Sequence, residues 1–203
     1  MRIPHFLLLA AFLPLALAAC SNQPTRLYVL TPTTEKPAST SPTGIAIGIG
    51  PVTLPKYLDR PEIVTRVEAN SLDQANFDQW GGDLNDNITR VLATNLSNLL
   101  ATDRVSLFPW QTGAPIDYQV TLDISRFEQD KDGNTVLNAF WSIVNPTDGT
   151  VLLMRRSSYT QPAGTPAAND SARPFDALAG AMSRDLASLS QDIAAAIKTL
   201  KGA

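Results

Sequence analysis

Side chains able to serve as nucleophile, base or soft metal ligand are scarce in this chain of 203 residues, which holds one cysteine and one histidine. Both fall within the first twenty positions, as Cys20 and His5, so the body of the chain contains the parts for neither Cys–His nor Ser–His–Asp chemistry. Two carboxylates suffice for glycoside hydrolysis, but the spacing of the 19 acidic residues nominates no pair. Gly48-Ile49-Gly50 hints at a phosphate loop. Pro51 follows it and no helix opens there, so the exposed N–H groups that cradle a phosphate are missing. Asp130-Lys131-Asp132-Gly133-Asn134 begins like a calcium loop, lacks the downstream glutamate, and reads as a hairpin turn.

The densest remaining feature is GPVTLPKYLDRP at 50–61. Pro51, Pro55 and Pro61 each fix φ and remove a backbone donor, so the segment is stiff. A rigid loop offering Leu54, Pro55, Tyr57, Leu58, Asp59 and Arg60 fits a partner-binding surface at low entropic cost. The same residues also fit a structural crossover in which Leu54 and Leu58 fill the core and Asp59 pairs with Arg60. Trp80, before Gly81-Gly82, reads as a core anchor rather than a ligand platform.

The leader decides where such a surface would work. Arg2 and the amino terminus form a positive start, and positions 6–19 are uncharged and rich in Leu and Ala, which is the layout of an export signal. The stretch is shorter than the roughly 20 apolar residues a membrane span needs, and Pro14 interrupts it. Leu17-Ala18-Ala19-Cys20 resembles the lipobox of bacterial lipoproteins. That resemblance implies that the Cys20 thiol is alkylated by a diacylglycerol, the chain is cut between Ala19 and Cys20, and the new amine is acylated. Several acyl chains anchor far more durably than one. Ser21, rather than Asp, resembles the address of a lipoprotein sorted to the outer membrane.

Removal of residues 1–19 takes away Arg2 and His5, leaving a formal charge of −4. The expected mature chain has no histidine and no free thiol. It therefore has no usual catalytic site, no His/Cys metal site, no disulfide and no cofactor beyond the covalent lipid on Cys20. Without a basic stripe, nucleic acid is not an expected partner.

The elements that must position the loop follow from periodicity. Positions 20–43 carry the lipidated cysteine and a Pro-, Thr- and Ser-rich tether, although Leu27-Tyr28-Val29-Leu30 is apolar enough to dock as an edge strand. Positions 44–203 form one α+β domain. Its first strand, with Ile45, Ile47 and Ile49 alternating with small residues, reads as half-buried. A hairpin follows over 62–67 and 72–77. Apolar positions 84, 88, 91, 92, 96, 99 and 100 form a helical stripe with Asp83 as N-cap. Strands over 105–108, 118–127, 135–144 and 151–159 make a meander. Phe175, Leu178, Met182, Leu186, Leu189, Ile193, Ala196 and Leu200 mark a closing helix. The expected fold is a largely antiparallel sheet with two amphipathic helices on one face, preceded by a flexible tether. The weakly polar back of the last helix leaves room for a homo-oligomer.

Tyr28-Val29-Leu30, the run from Gly50-Pro51-Val52 through Leu54-Pro55-x-Tyr57-Leu58-Asp59-Arg60-Pro61 to Arg66, Phe77-x-x-Trp80, and Leu84…Ile88-x-Arg90-Val91-Leu92-x-x-Asn95-Leu96 resemble the auxiliary lipoproteins of ABC-type transporters. The resemblance implies a lipoprotein on the periplasmic face of the outer membrane, partnering an MCE-domain protein of an intermembrane lipid-transport system. No catalytic residue comes with it. The leading expectation is a non-enzymatic docking component. A lipoprotein that carries single lipids or assists outer-membrane assembly, and a periplasmic hydrolase, are the alternatives.

Overall fold

The computed structural model describes residues 23–37, 39, 41, 44–111, 113–163 and 173–202, and period-two alternation and 3.6-residue stripes divide these described residues into eight strands and two helices. The strands are β1 (Arg26–Tyr28), β2 (Ile47–Thr53), β3 (Glu62–Glu68), β4 (Ser71–Trp80), β5 (Val105–Leu107), β6 (Tyr118–Gln129), β7 (Asn134–Val144) and β8 (Val151–Pro162). The helices are α1 (Leu84–Leu100) and α2 (Asp176–Gly202). Helix α1 starts where the sequence places it, because the Asp83 carboxylate accepts a hydrogen bond from the Asp86 amide at 3.0 Å.

The architecture is the expected α+β, with both helices packed on the sheet and on each other. The sheet is mixed. Long antiparallel ladders join β6 to β7, β7 to β8 and β3 to β4. Parallel junctions join β1 to β4, and join β2 to both β5 and β6. Between β3 and β6 the ladder is a single parallel pair, Thr65 with Gln129, so the β1–β4–β3 wing joins the rest of the sheet through one ladder position. Central placement also corrects the reading of β2 as half-buried. Ile47, Gly48, Ile49 and Gly50 are all buried, as in a parallel strand covered on both faces.

Alternation along β7 buries Leu137, Ala139, Trp141 and Ile143. They meet Leu178, Met182, Leu186, Leu189 and Ile193 of α2 and Ile88, Leu92 and Leu96 of α1 in one core. Part of the polar back of α2 is buried within the same chain, because α2 packs against α1 as well as β6, β7 and β8. Ser183 and Ser190 there satisfy their hydroxyls on Ala179 O and Leu186 O. Asp185 accepts from Thr135 at 2.6 Å, while its other carboxylate oxygen has no hydrogen-bond partner among the described residues. Burial pushes the Asp185 carboxyl up to about 6 against the opposing pull of the Thr135 hydrogen bond and the Arg184 charge.

Much of the stretch read as tether is docked. Arg26 grips Asp78 with Nε at 2.6 Å and Nη2 at 2.8 Å, and the Tyr28 hydroxyl donates to the same carboxylate at 2.8 Å. Burial alone would raise the Asp78 pKa, but these hydrogen bonds hold it below the ordinary value. Further on, the Leu30 amide donates to Asn87 and the Thr31 amide to Ser183. Thr34 bonds Asn95 and Asn98. From Leu30 onward the chain thus runs as a strap over both helices, and β1 before it is the edge strand that the apolar Leu27–Leu30 segment foreshadowed.

Candidate functional site

The proline-rich segment leaves β2 and returns to β3 through a tight turn in which Leu58 N donates to Pro55 O at 2.9 Å and Asp59 N to Lys56 O at 3.3 Å. The side chains of this turn divide between the core and solvent. Leu58 enters the core, whereas Lys56, Asp59 and Arg60 are exposed. Asp59 pairs with Lys56 at 3.1 Å rather than with Arg60, and Arg60 instead donates to Gln74 on β4. Exposed pairs of this kind contribute little to stability.

Tyr57 is held from beneath. Its hydroxyl donates to Glu128 Oε2 at 2.9 Å, and the Phe127 amide donates to the same oxygen at 3.1 Å. The other oxygen, Oε1, accepts from Arg66 Nε at 2.9 Å and Arg126 Nε at 2.7 Å. Glu128 is fully buried, and its two oxygens together satisfy four donors, which is the condition for keeping a charge out of water. Burial and then the Glu128 charge push the Tyr57 phenol up to about 12. The hydrogen bond to Glu128 raises the Arg66 pKa, opposed by burial. Tyr57 is therefore a neutral donor rather than a nucleophile. The cluster sits beside the single β3–β6 pair, so it fastens the loop and the weak point of the sheet together.

Two grooves flank the loop. One, of about 290 Å³, runs between Leu54, Leu58, Asp59 and Arg60 on the loop side and Asp83 and Leu84 at the start of α1. The other, of about 430 Å³, is bounded by Pro51, Val52, Thr89, Arg90 and Phe108. Asn85 stands between them and donates to Val52 O at 2.7 Å. Gly50 has φ +118°, and a Cβ there would lie 2.7 Å from the Phe108 Cβ, so only glycine permits this approach. The walls mix apolar and charged side chains, which suits a docked polypeptide. Among the described residues no group of three or more His, Cys, Asp or Glu could hold a metal ion.

Of the residues singled out from sequence, Leu54, Leu58, Asp59 and Arg60 converge on one groove, while Tyr57 serves the buried cluster. Pro55 supplies the acceptor that closes the turn. Trp80 is a core residue. Ala19 and Cys20, with the rest of the leader, lie outside the described residues. The sequence reading missed Glu128, Arg66 and Arg126. The sequence shows only that the alternation of Val120, Leu122 and Ile124 slips to Phe127; the structure has a register shift there, after which Phe127, Glu128 and Gln129 are all buried.

The family model described as ABC-type transport auxiliary lipoprotein component matches residues 28–194. Comparison with curated proteins finds no match. Among solved structures, one described only as an uncharacterized protein is 18% identical, with TM-score 0.66, covering 86% of this chain and 99% of its own. Protein XCC0632 from Xanthomonas campestris, of family DUF330, is 16% identical, with TM-score 0.64, covering 83% and 92%. At these identities the two structures speak for the fold alone.

Proposed function

The chain belongs to the ABC-type transport auxiliary lipoprotein components, and from that premise we propose that it is a non-enzymatic docking component of an MCE-type intermembrane lipid-transport system. On this reading, acylated Cys20 holds it at the periplasmic face of the outer membrane, and the folded body captures the end of an MCE-domain partner. The observation that carries the proposal is the division of labour in the loop. Leu58 and the Tyr57–Glu128 contact fasten its inner side, so Lys56, Asp59 and Arg60 stand on a pre-organised turn beside an open groove. Pre-organisation lowers the ordering entropy that binding must overcome. Another surface groove, of about 690 Å³, has Arg104, Asp117 and Lys201 in its walls beside Ile45 and Leu200, a mixture unlike the apolar interior a lipid carrier needs.

Co-purification from crosslinked envelopes tests the docking role. An MCE-domain protein is expected among the captured partners, and its absence from efficiently crosslinked material would overturn the assignment. Cys20→Ser is expected to release the protein into the soluble periplasmic fraction; unchanged membrane fractionation would remove the anchor from the account.

A further inference from the structure

The face of β1 that the fold does not use is apolar. Arg26 and Tyr28 point inward to Asp78, and the Tyr28 ring meets Phe175 edge-on at 6.0 Å. Leu27 and Val29 point the other way, each 54% exposed. On the paired strand, Leu27 stands opposite Gln79, and a Cβ at Gly81 would lie 3.1 Å from Val29 Cγ1 and 3.9 Å from Leu27 Cβ. Phe77, two residues before Gln79 and hence on the same side of β4, is 40% exposed. Three large apolar side chains therefore share one outward face at an edge of the sheet. The edge itself is not offered for strand pairing, because Arg173 Nη2 caps the Leu27 carbonyl at 3.0 Å.

Chain length says what lies opposite this face. Between Cys20 and the first residue of β1 there are only residues 21–25, and the Arg26–Asp78 grip allows no further slack. At about 3.3–3.6 Å per residue, six steps from Cys20 to Arg26 reach at most roughly 20 Å. No helix among the described residues is long and apolar enough to cross a membrane. Contact with a bilayer beyond the acyl chains would then be interfacial, through exposed apolar side chains.

We propose that Leu27, Val29 and Phe77 form the face on which the folded body rests against the phospholipid surface that holds the acyl chains of Cys20. The inference rests on Cys20 being the lipid anchor, and it adds an orientation. The β1 edge faces the bilayer and β8, five strands further along the sheet, is carried away from it. That separation is about 24 Å along the sheet at about 4.8 Å per strand.

The test uses the acylated mature protein in phosphatidylethanolamine/phosphatidylglycerol vesicles. Cys20 is the only cysteine in the chain and its thiol is blocked by the lipid, so an introduced cysteine takes a fluorophore at one place. Leu27→Cys, Phe77→Cys and, on β8, the 67%-exposed Met154→Cys are labelled singly. Spin-labelled lipids bearing the quencher near the headgroup are expected to quench the probes at 27 and 77 at least twofold more than the probe at 154. Equal quenching at all three sites, with the protein still floating with the vesicles, would overturn the orientation and leave the anchor standing. Failure to float would remove the anchor itself, and the orientation with it. Concentration-dependent crosslinks between copies through position 27 in detergent, with no lipid quenching there, would assign the face to a second copy and also overturn the proposal. Leu27→Ser combined with Phe77→Ser supplies a check independent of probes: body-to-membrane energy transfer should fall while near-ultraviolet circular dichroism is unchanged. Unaltered transfer in the folded double variant counts against the contact.

Discussion

Tyr57 donates its hydroxyl hydrogen to Glu128 at 2.9 Å across 71 positions of sequence, and this contact makes the loop's aromatic residue part of the framework. A hydrogen bond to a charged group contributes about 1.5–3 kcal/mol, less where the donor is partly exposed, so Tyr57→Phe is expected to lower stability by about 1–2 kcal/mol. Glu128→Gln leaves Arg66 and Arg126 facing a neutral amide and should remove about 3–5 kcal/mol. Urea midpoints of the two variants give both numbers. If Tyr57→Phe keeps its midpoint yet loses partner capture, the phenol belongs to the binding surface instead.

Asp185 predicts an inverted acid response. Its folded carboxyl is pushed up to about 6 by burial, above the ordinary value near 4 of an unfolded chain. Between those values the folded state binds more protons than the unfolded one, so this group's contribution is fully present below about pH 4 and is lost as the pH rises through about 6. The gap between the folded and unfolded values corresponds to about 3 kcal/mol at most. Asp78, held below its ordinary value, acts in the opposite sense at lower pH. The measurement is therefore the difference between wild type and Asp185→Asn in melting temperature from pH 4 to 8. Parallel curves would show that Asp185 does not titrate in this window.

Local chemistry was legible in the sequence, and long-range pairing was not. Helix α1 announced itself through an N-cap and an amphipathic stripe, which depend on neighbours three and four residues apart. The Leu27–Leu30 segment was apolar enough to foresee its docking as an edge strand. The Glu128 cluster joins residues 57, 66, 126 and 128, and no periodicity in any one segment encodes that meeting. The parallel neighbours of β2 were hidden for the same reason, since small residues between isoleucines suit a half-buried strand and a central one equally.

Gly50 is expected to tolerate no side chain. At φ +118° an L-residue is strained, and a Cβ would stand 2.7 Å from the Phe108 Cβ. Overpacking of this kind removes about 1–3 kcal/mol, and the unfavourable backbone adds of order 1–3 kcal/mol. Gly50→Ala should therefore lose about 2–5 kcal/mol in denaturant titration. In a Phe108→Gly background, which removes the clashing Cβ, Gly50→Ala should lose only the part due to φ. A Gly50→Ala variant as stable as the parent would mean that β2 and β5 separate without penalty here.

Arg60 separates binding from folding most cleanly. It is exposed, it donates to the amide oxygen of Gln74, and it borders the groove at the start of α1. Surface substitutions away from buried networks change stability by about 0.5 kcal/mol or less, so Arg60→Glu should melt with the parent. The reversal nevertheless places two acidic side chains, at 59 and 60, on the turn offered to a partner. A like-charge mismatch at a docking rim reduces the association rate and makes it depend on salt in the opposite sense. Capture of the MCE-domain partner by Arg60→Glu is expected to fall at low ionic strength and recover in part as salt is raised. A variant that melts normally and captures normally at low salt would move the docking surface off this loop, whereas one that melts early would make Arg60 a framework residue like Tyr57.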